Sequence, residues 1–259
     1  MKKLLALILA LTLVCPLPVW AAVGHETATE SHTGTTGSVS EASFDISVPF
    51  TASSKGLLVF TYVLNALNAP DDATSVKIDP AGANTDVPAV SGGRAAVTAG
   101  NEDGDCKAWF LGSGLPTTTT TVRVNRTNNT DIMYAIAITV TAAGATEIFT
   151  SGIVLQTGVI TVTEQSVDDG SPGTNSLRYA GMFGGHNTIG GTPPGANSTA
   201  LLDIDIGNQL ALAVRETTAG QGSRSVGIAA TASDDTAAVH LAIREPPVAS
   251  SVRHRAQVY

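Results

Sequence analysis

The run Asn101-Glu102-Asp103-Gly104-Asp105 places four oxygen-bearing side chains in five residues, with a glycine for the bend. Calcium is the ion such a run suits, because it collects about six to eight oxygens from carboxylates, carbonyls and water. Asn101, Asp103 and Asp105 form the candidate metal set, and calcium is the one cofactor the sequence offers. The run lacks the full spacing of a helix-loop-helix calcium loop, and solvated turns use the same residues. Asp71-Asp72, Asp168-Asp169 and Asp234-Asp235 read more simply as turns. Asp203 and Asp205 stand two apart in LLDIDIG, on one face of a strand, where paired carboxylates can divide acid and base roles. The commoner arrangement is a polar outward face with Leu202, Ile204 and Ile206 inward. No G-x-S-x-G, S-x-x-K, H-E-x-x-H or C-x-x-C occurs. His25 and His32 stand near the N-terminus, His186 in a Gly-rich loop and His254 near the C-terminus. His240 alternates with Val239 and Leu241, which predicts that it points away from the core with Ala238 and Ala242. No catalytic residue is assigned, and the chain is expected not to be an enzyme.

Sugar-binding modules stack rings on exposed aromatic faces, yet aromatic residues make up only 5% of this chain. Trp109 shares a strand face with Lys107 and Leu111, and the next strand carries Arg123 and Asn125 outward. If that face meets solvent, Trp109, Lys107, Arg123 and Asn125 line one ligand-binding surface. An aromatic residue inside an apolar strand is more often core. Cys106 alternates with Ala108 and Phe110, a pattern in which cysteine is a small buried hydrophobe.

These side chains sit on a chain that reads as strands. Phe44, Ile46, Val48 and Phe50 alternate with Asp45, Ser47 and Pro49, the period of two of a half-buried strand. Gly56 to Leu64 is apolar on both faces and predicts a central strand. Asp105 to Leu111, Thr120 to Asn125 and Ile132 to Val140 follow, with RTNNTD as the turn before the last. Ile148 to Leu155, Val159 to Thr163, Leu177 to Phe183, Leu201 to Ile206, Gln209 to Arg215, Ser225 to Ala230 and Ala238 to Arg244 complete the pattern. No stretch holds a period of 3.6 over three turns, so the prediction is all-β and antiparallel.

Lys2 and Lys3, the apolar run Leu4 to Val14 and the small residues Val19 and Ala21 have the anatomy of a secretory signal peptide cleaved after Ala21. That predicts export to the cell surface or medium, with the periplasm as the other destination, and no transmembrane span in the mature chain. The mature chain then carries 12 basic and 22 acidic residues, which excludes attraction to nucleic-acid phosphates. It retains Cys106 alone, so an intrachain disulfide is excluded. The predicted organisation is signal peptide 1–21, a flexible lead or edge strand over 22–40, a sandwich domain over 41–246 and a tail over 247–259.

The sandwich region echoes itself at a spacing of about 105 residues, with halves near 41–142 and 148–246. The Gly56-to-Leu64 strand, the Trp109 strand, Thr120 to Asn125 and IMYAIAITV in the first half match Leu177 to Phe183, LALAVRE, SVGIAATA and AAVHLAIRE in the second. Two Greek-key halves build either one jelly-roll sandwich, the arrangement favoured by the absence of a linker, or two tandem domains. SLRYAGMFGG, the Gly/Pro-rich loop, QLALAVRE and the closing strand ending in Arg and Pro resemble a jelly-roll-like module of secreted bacterial surface proteins and phage tail or head-decoration proteins. The resemblance implies an architecture and surface exposure, and carries no catalytic residues. The expected function is an exported, non-catalytic surface or structural protein that assembles with itself or with other surface proteins. A glycan-binding adhesin and a secreted glycoside hydrolase are the alternatives.

Overall fold

The computed structural model describes residues 23–33, 43–66, 73–97, 103–126, 132–156, 165–167, 176–184, 197–206, 209–217, 224–227 and 236–246. The expected signal peptide and the tail lie outside them. The described residues form antiparallel strands and no helix. The first sheet runs β1 (Gly24–Thr33), β9 (Ile132–Thr141), β3 (Ser54–Ala66), β7 (Asp103–Leu111), β6 (Ala89–Val97). The second runs β2 (Ser43–Val48), β8 (Thr120–Arg126), β4 (Ala73–Ile78), β5 (Thr85–Val87). The third runs β10 (Glu147–Gln156), β16 (Thr236–Arg244), β12 (Ser176–Gly184), β14 (Gln209–Glu216), β13 (Ser198–Ile206). The fourth holds β11 (Gln165–Val167) and β15 (Arg224–Val226).

Each half contributes two of the four sheets. The five-stranded sheet of the first half is buried on both faces, because β3 is apolar on both. Leu57, Val59 and Val63 pack with Trp109, Met133 and Ala135 against Phe44, Ile46 and Val124 of the second sheet. Leu58, Phe60 and Tyr62 pack from the opposite face, with Phe110 and Ile136, against Tyr179, Phe183, Val239 and Leu241 of the third. A third cluster, including Met182, Leu212, Val214 and Val226, lies between the third and fourth sheets. The residues expected over 22–40 to be a flexible lead or an edge strand include β1, which is an edge strand. It has no apolar pattern and is held by its backbone ladder to β9, from Gly24 opposite Thr141 to Thr33 opposite Met133.

The topology repeats. β10·β16, β12·β16, β12·β14, β13·β14 and β11·β15 reproduce β1·β9, β3·β9, β3·β7, β6·β7 and β2·β8 in the same chain order. In the first half the sheet β1-β9-β3-β7-β6 faces the sheet β2-β8-β4-β5. β6 lies against β10, the counterpart of β1, and β1 lies against β13, the counterpart of β6.

Two aromatic rings set how closely the halves approach. Phe60 covers Gly181, and Phe183 covers Gly104, so that a Cβ at either glycine would collide with the facing ring. Gly181→Ala should therefore cost about 1–3 kcal/mol through overpacking, and Phe60→Ala about 3–5 kcal/mol through the cavity it leaves. Because the new methyl fills part of that cavity, the double variant should lose less than the sum, as read from urea midpoints; strict additivity would mean that the two positions are not in contact.

Candidate functional site at the junction of the two sandwiches

Trp109 stands 4% exposed, between the first and second sheets. Its Nε1 donates to Thr61 Oγ1 at 3.1 Å, so the polar edge of the indole is satisfied inside the core. The alternation that puts Lys107 and Trp109 on one face is correct, but that face is roofed by the second sheet. Lys107 Nζ lies 4.3 Å from the Trp109 ring centroid and donates to the Ala73 carbonyl at 3.1 Å. Arg123 and Asn125 belong to β8 in that roof, and their partners lie along it. Arg123 forms a two-pronged pair with Asp45 at 2.7 and 2.8 Å, and Asn125 Nδ2 donates to Ser75 Oγ at 2.9 Å. The four residues expected to form one binding surface are thus divided between an interior layer and the sheet above it. The Arg123 guanidinium holds the Asp45 carboxyl below the usual carboxylate range.

The acidic run is also divided. Asp105 is a buried strand residue whose carboxylate accepts from Arg94 Nε at 2.8 Å, which neutralises the charge a cation would have sought. Asn101 and the Asp103 side chain lie outside the described residues, as do the side chains of Asp203 and Asp205. Among the described residues no three His, Cys, Asp or Glu side chains gather as a metal cluster. Cys106 is buried with Ala108 and Phe110 in the apolar layer between the halves, as the alternation predicts. Burial pushes its thiol well above the ordinary cysteine value.

His240 corrects an expectation. It is fully buried, because the second face of β16 is covered as well as the first. The same layer contains Arg178 and Glu216, both with fully buried side chains and paired at 3.1 Å, and Glu216 also pairs with Arg224. Two cations around one carboxylate keep that charge from being stranded in a low-dielectric layer.

The open space lies elsewhere. A cleft of about 630 Å³ sits where the two halves join, lined by Pro88 to Ser91, Phe110 to Gly112, Thr146 to Phe149 and Ser151. That volume is in the range of small-molecule sites, which favour the junctions between domains. Its walls are fixed. The connection between the halves is Ala142 to Thr146, and the Glu245 carboxylate accepts from the backbone N–H of Ala143 and Gly144 at 2.5 and 2.9 Å. Thr146 donates through its N–H to the Gly112 carbonyl at 2.9 Å and through Oγ1 to the Lys55 carbonyl at 3.0 Å. Ser151 Oγ donates to the Ser91 carbonyl at 2.8 Å, tying β10 to β6 across the cleft.

One wall is an aromatic ring placed by a β-bulge. Ile148 pairs with Ile243 and Thr150 with Ala242, leaving Phe149 as the extra residue. A bulge of this kind re-aims a side chain. The Arg244 guanidinium carbon stands 3.9 Å from the Phe149 ring centroid, and Arg244 Nε donates to Glu147 Oε1 at 2.9 Å. Phe149 remains 38% exposed and Ile153, further along β10, 44%; they are the exposed large hydrophobic residues among those described. Sequence reasoning placed Ile148 to Leu155 in a strand but did not single out Phe149. The available signal was the break in alternation at Ile148-Phe149-Thr150. A second hollow of about 570 Å³, beside the Thr118-to-Thr121 run and the Asp79 turn, is more polar and has no aromatic wall.

No protein family matches the chain, and neither a curated protein nor a solved structure does.

Two outcomes follow for residues the sequence singled out. In native protein at pH 8 Cys106 should resist a thiol reagent and react at once in urea; rapid native labelling would contradict its burial. Asp45 should titrate below an ordinary aspartate in a carboxyl-detected NMR titration and move up toward that value in Arg123→Ala, because its lowered pKa comes from the paired guanidinium.

Proposed function

We propose that this is an exported, non-catalytic surface protein whose stacked sandwiches present the cleft at their junction to a partner. The observation that carries this reading is that Phe149, one of the two exposed large hydrophobic residues among those described, lines the cleft. Phe149 and Ile153 both lie on edge strand β10. An exposed aromatic ring in a preformed cleft between domains suits ligand recognition. Of the side chains the sequence offered for metal binding, Asp105 is held in an ion pair with Arg94, and the thiol of Cys106 is sealed in the core. The signal-like N-terminus supports export, and the resemblance to secreted surface modules supports the same setting.

A second reading, assembly with further copies, is favoured by Ile153, an exposed large apolar residue on the outermost strand of the third sheet.

Incubating the purified mature chain with insoluble cell-wall and polysaccharide fractions tests the first reading. Retention that releases no soluble product, and that Phe149→Ala reduces, is the expected result. Steady release of soluble fragments would overturn the non-catalytic reading. Light scattering tests the second: a discrete multimer that Ile153→Lys converts to monomer would establish assembly, and a monomer at every concentration would rule it out.

A further inference from the structure

Resting on the reading of the junction cleft as a partner site, we propose that the cleft takes a sugar ring of a neutral glycan, stacked on Phe149 and hydrogen-bonded to Glu147. The ring is already oriented. The bulge removes Phe149 from the strand alternation, and Arg244 fixes it at 3.9 Å while bonding Glu147 at 2.9 Å. A platform held in this way loses little conformational freedom when a ligand arrives. The cleft walls are likewise preformed by the bonded connection between the halves and by the Ser151–Ser91 bridge.

The lining selects the chemistry. Pro88, Val90, Phe110 and Phe149 form an apolar surface, and Glu147 and Ser151 interrupt it with a carboxylate and a hydroxyl. A sugar ring has that same division, with an apolar C–H face and a rim of hydroxyl groups. A lipid or other wholly apolar ligand would leave the carboxylate oxygen of Glu147 that Arg244 does not hold, and the Ser151 hydroxyl, without a new partner when it displaced their water. A glycan hydroxyl donates to that carboxylate oxygen instead. An acidic glycan is disfavoured by charge. The Arg244 guanidinium is committed to Glu147 and Phe149, and the chain as a whole carries a net charge of −8.

The test uses the mature chain with neutral gluco-, xylo-, manno-, galacto- and N-acetylglucosamine oligosaccharides. Uronic-acid and sulfated oligosaccharides, and a fluorescent apolar dye, complete the set, all read by calorimetry or fluorescence. At least one neutral series should bind with little dependence on salt. Phe149→Ala and Phe149→Leu should both weaken it by about tenfold, the loss of one stacking contact, whereas Phe149→Trp should retain it. Phe149→Leu matters because an apolar ligand would tolerate it. Melting curves matching the parent chain confirm that the variants fold, as expected for a partly exposed position. Binding of acidic sugars alone, of the dye alone, of no glycan, or of a neutral glycan indifferent to Phe149 would each overturn the proposal. If no glycan binds but envelope material is still retained through Phe149, the glycan assignment fails and the cleft remains a partner site. If neither depends on Phe149, both fall.

Discussion

Packing between the two five-stranded sheets holds the two halves in one arrangement, and the cleft depends on it. Phe60 fits over Gly181 and Phe183 over Gly104, so the sheets approach until aromatic rings meet backbone. Protein interiors respond sharply to such contacts, because a close-packed layer has no room for an added methyl and collapses only partly around a lost ring. The layer also contains Tyr62, whose hydroxyl reaches across the halves to donate to the Leu212 carbonyl at 2.8 Å. That bond gives the buried hydroxyl a partner and favours one register of the sheets over its neighbours. Burial pushes the Tyr62 phenol well above its ordinary value, so it keeps the proton it donates.

The two halves handle polarity differently despite their shared topology. In the first, charge is kept mainly on the outer face of the second sheet. There Asp45, Arg123, Lys77 and Asp86 form a row across four strands, with each cation beside a carboxylate at 2.7 Å. Surface pairs of this kind contribute little to stability and are screened by salt. In the second half, an arginine, a glutamate and a histidine lie within the layer between the third and fourth sheets. The arginine–glutamate pair in that layer gains its stability from mutual pairing, so removing one member is more disruptive than never having had it.

The cleft follows from the packing of the two halves. Edge strand β6 of the first half meets edge strand β10 of the second, and the short connection between the halves closes one side of that meeting. The bulge in β10 then adds an aromatic wall at a sheet edge, where one additional residue is accommodated without disturbing the central strands. A site of this kind is made from the ends and edges of elements whose middles are committed to packing.

The sequence by itself determined the strand content and much of the burial. Period-two alternation identifies Phe44, Ile46 and Val48 as one inward face, and the two-sided apolar run from Gly56 to Leu64 becomes the central strand β3. The echo at about 105 residues became a repeated topology, because matching strand patterns need matching partners. Alternation also grouped Cys106 with Ala108 and Phe110, and Lys107 with Trp109. It could not say that both groups are covered, since the covering sheet comes from distant parts of the chain. That is why Trp109 was a plausible surface residue in the sequence and is a core residue in the fold, and why His240 is buried. β1 was only a candidate edge strand because its ladder to β9 is made by backbone groups that every residue carries. Only the tertiary structure decided the cleft. Phe149 and Phe110 are far apart in the chain, and they share a wall because the packing of the two halves brings β10 to β6, a relation set by shape and not by local pattern.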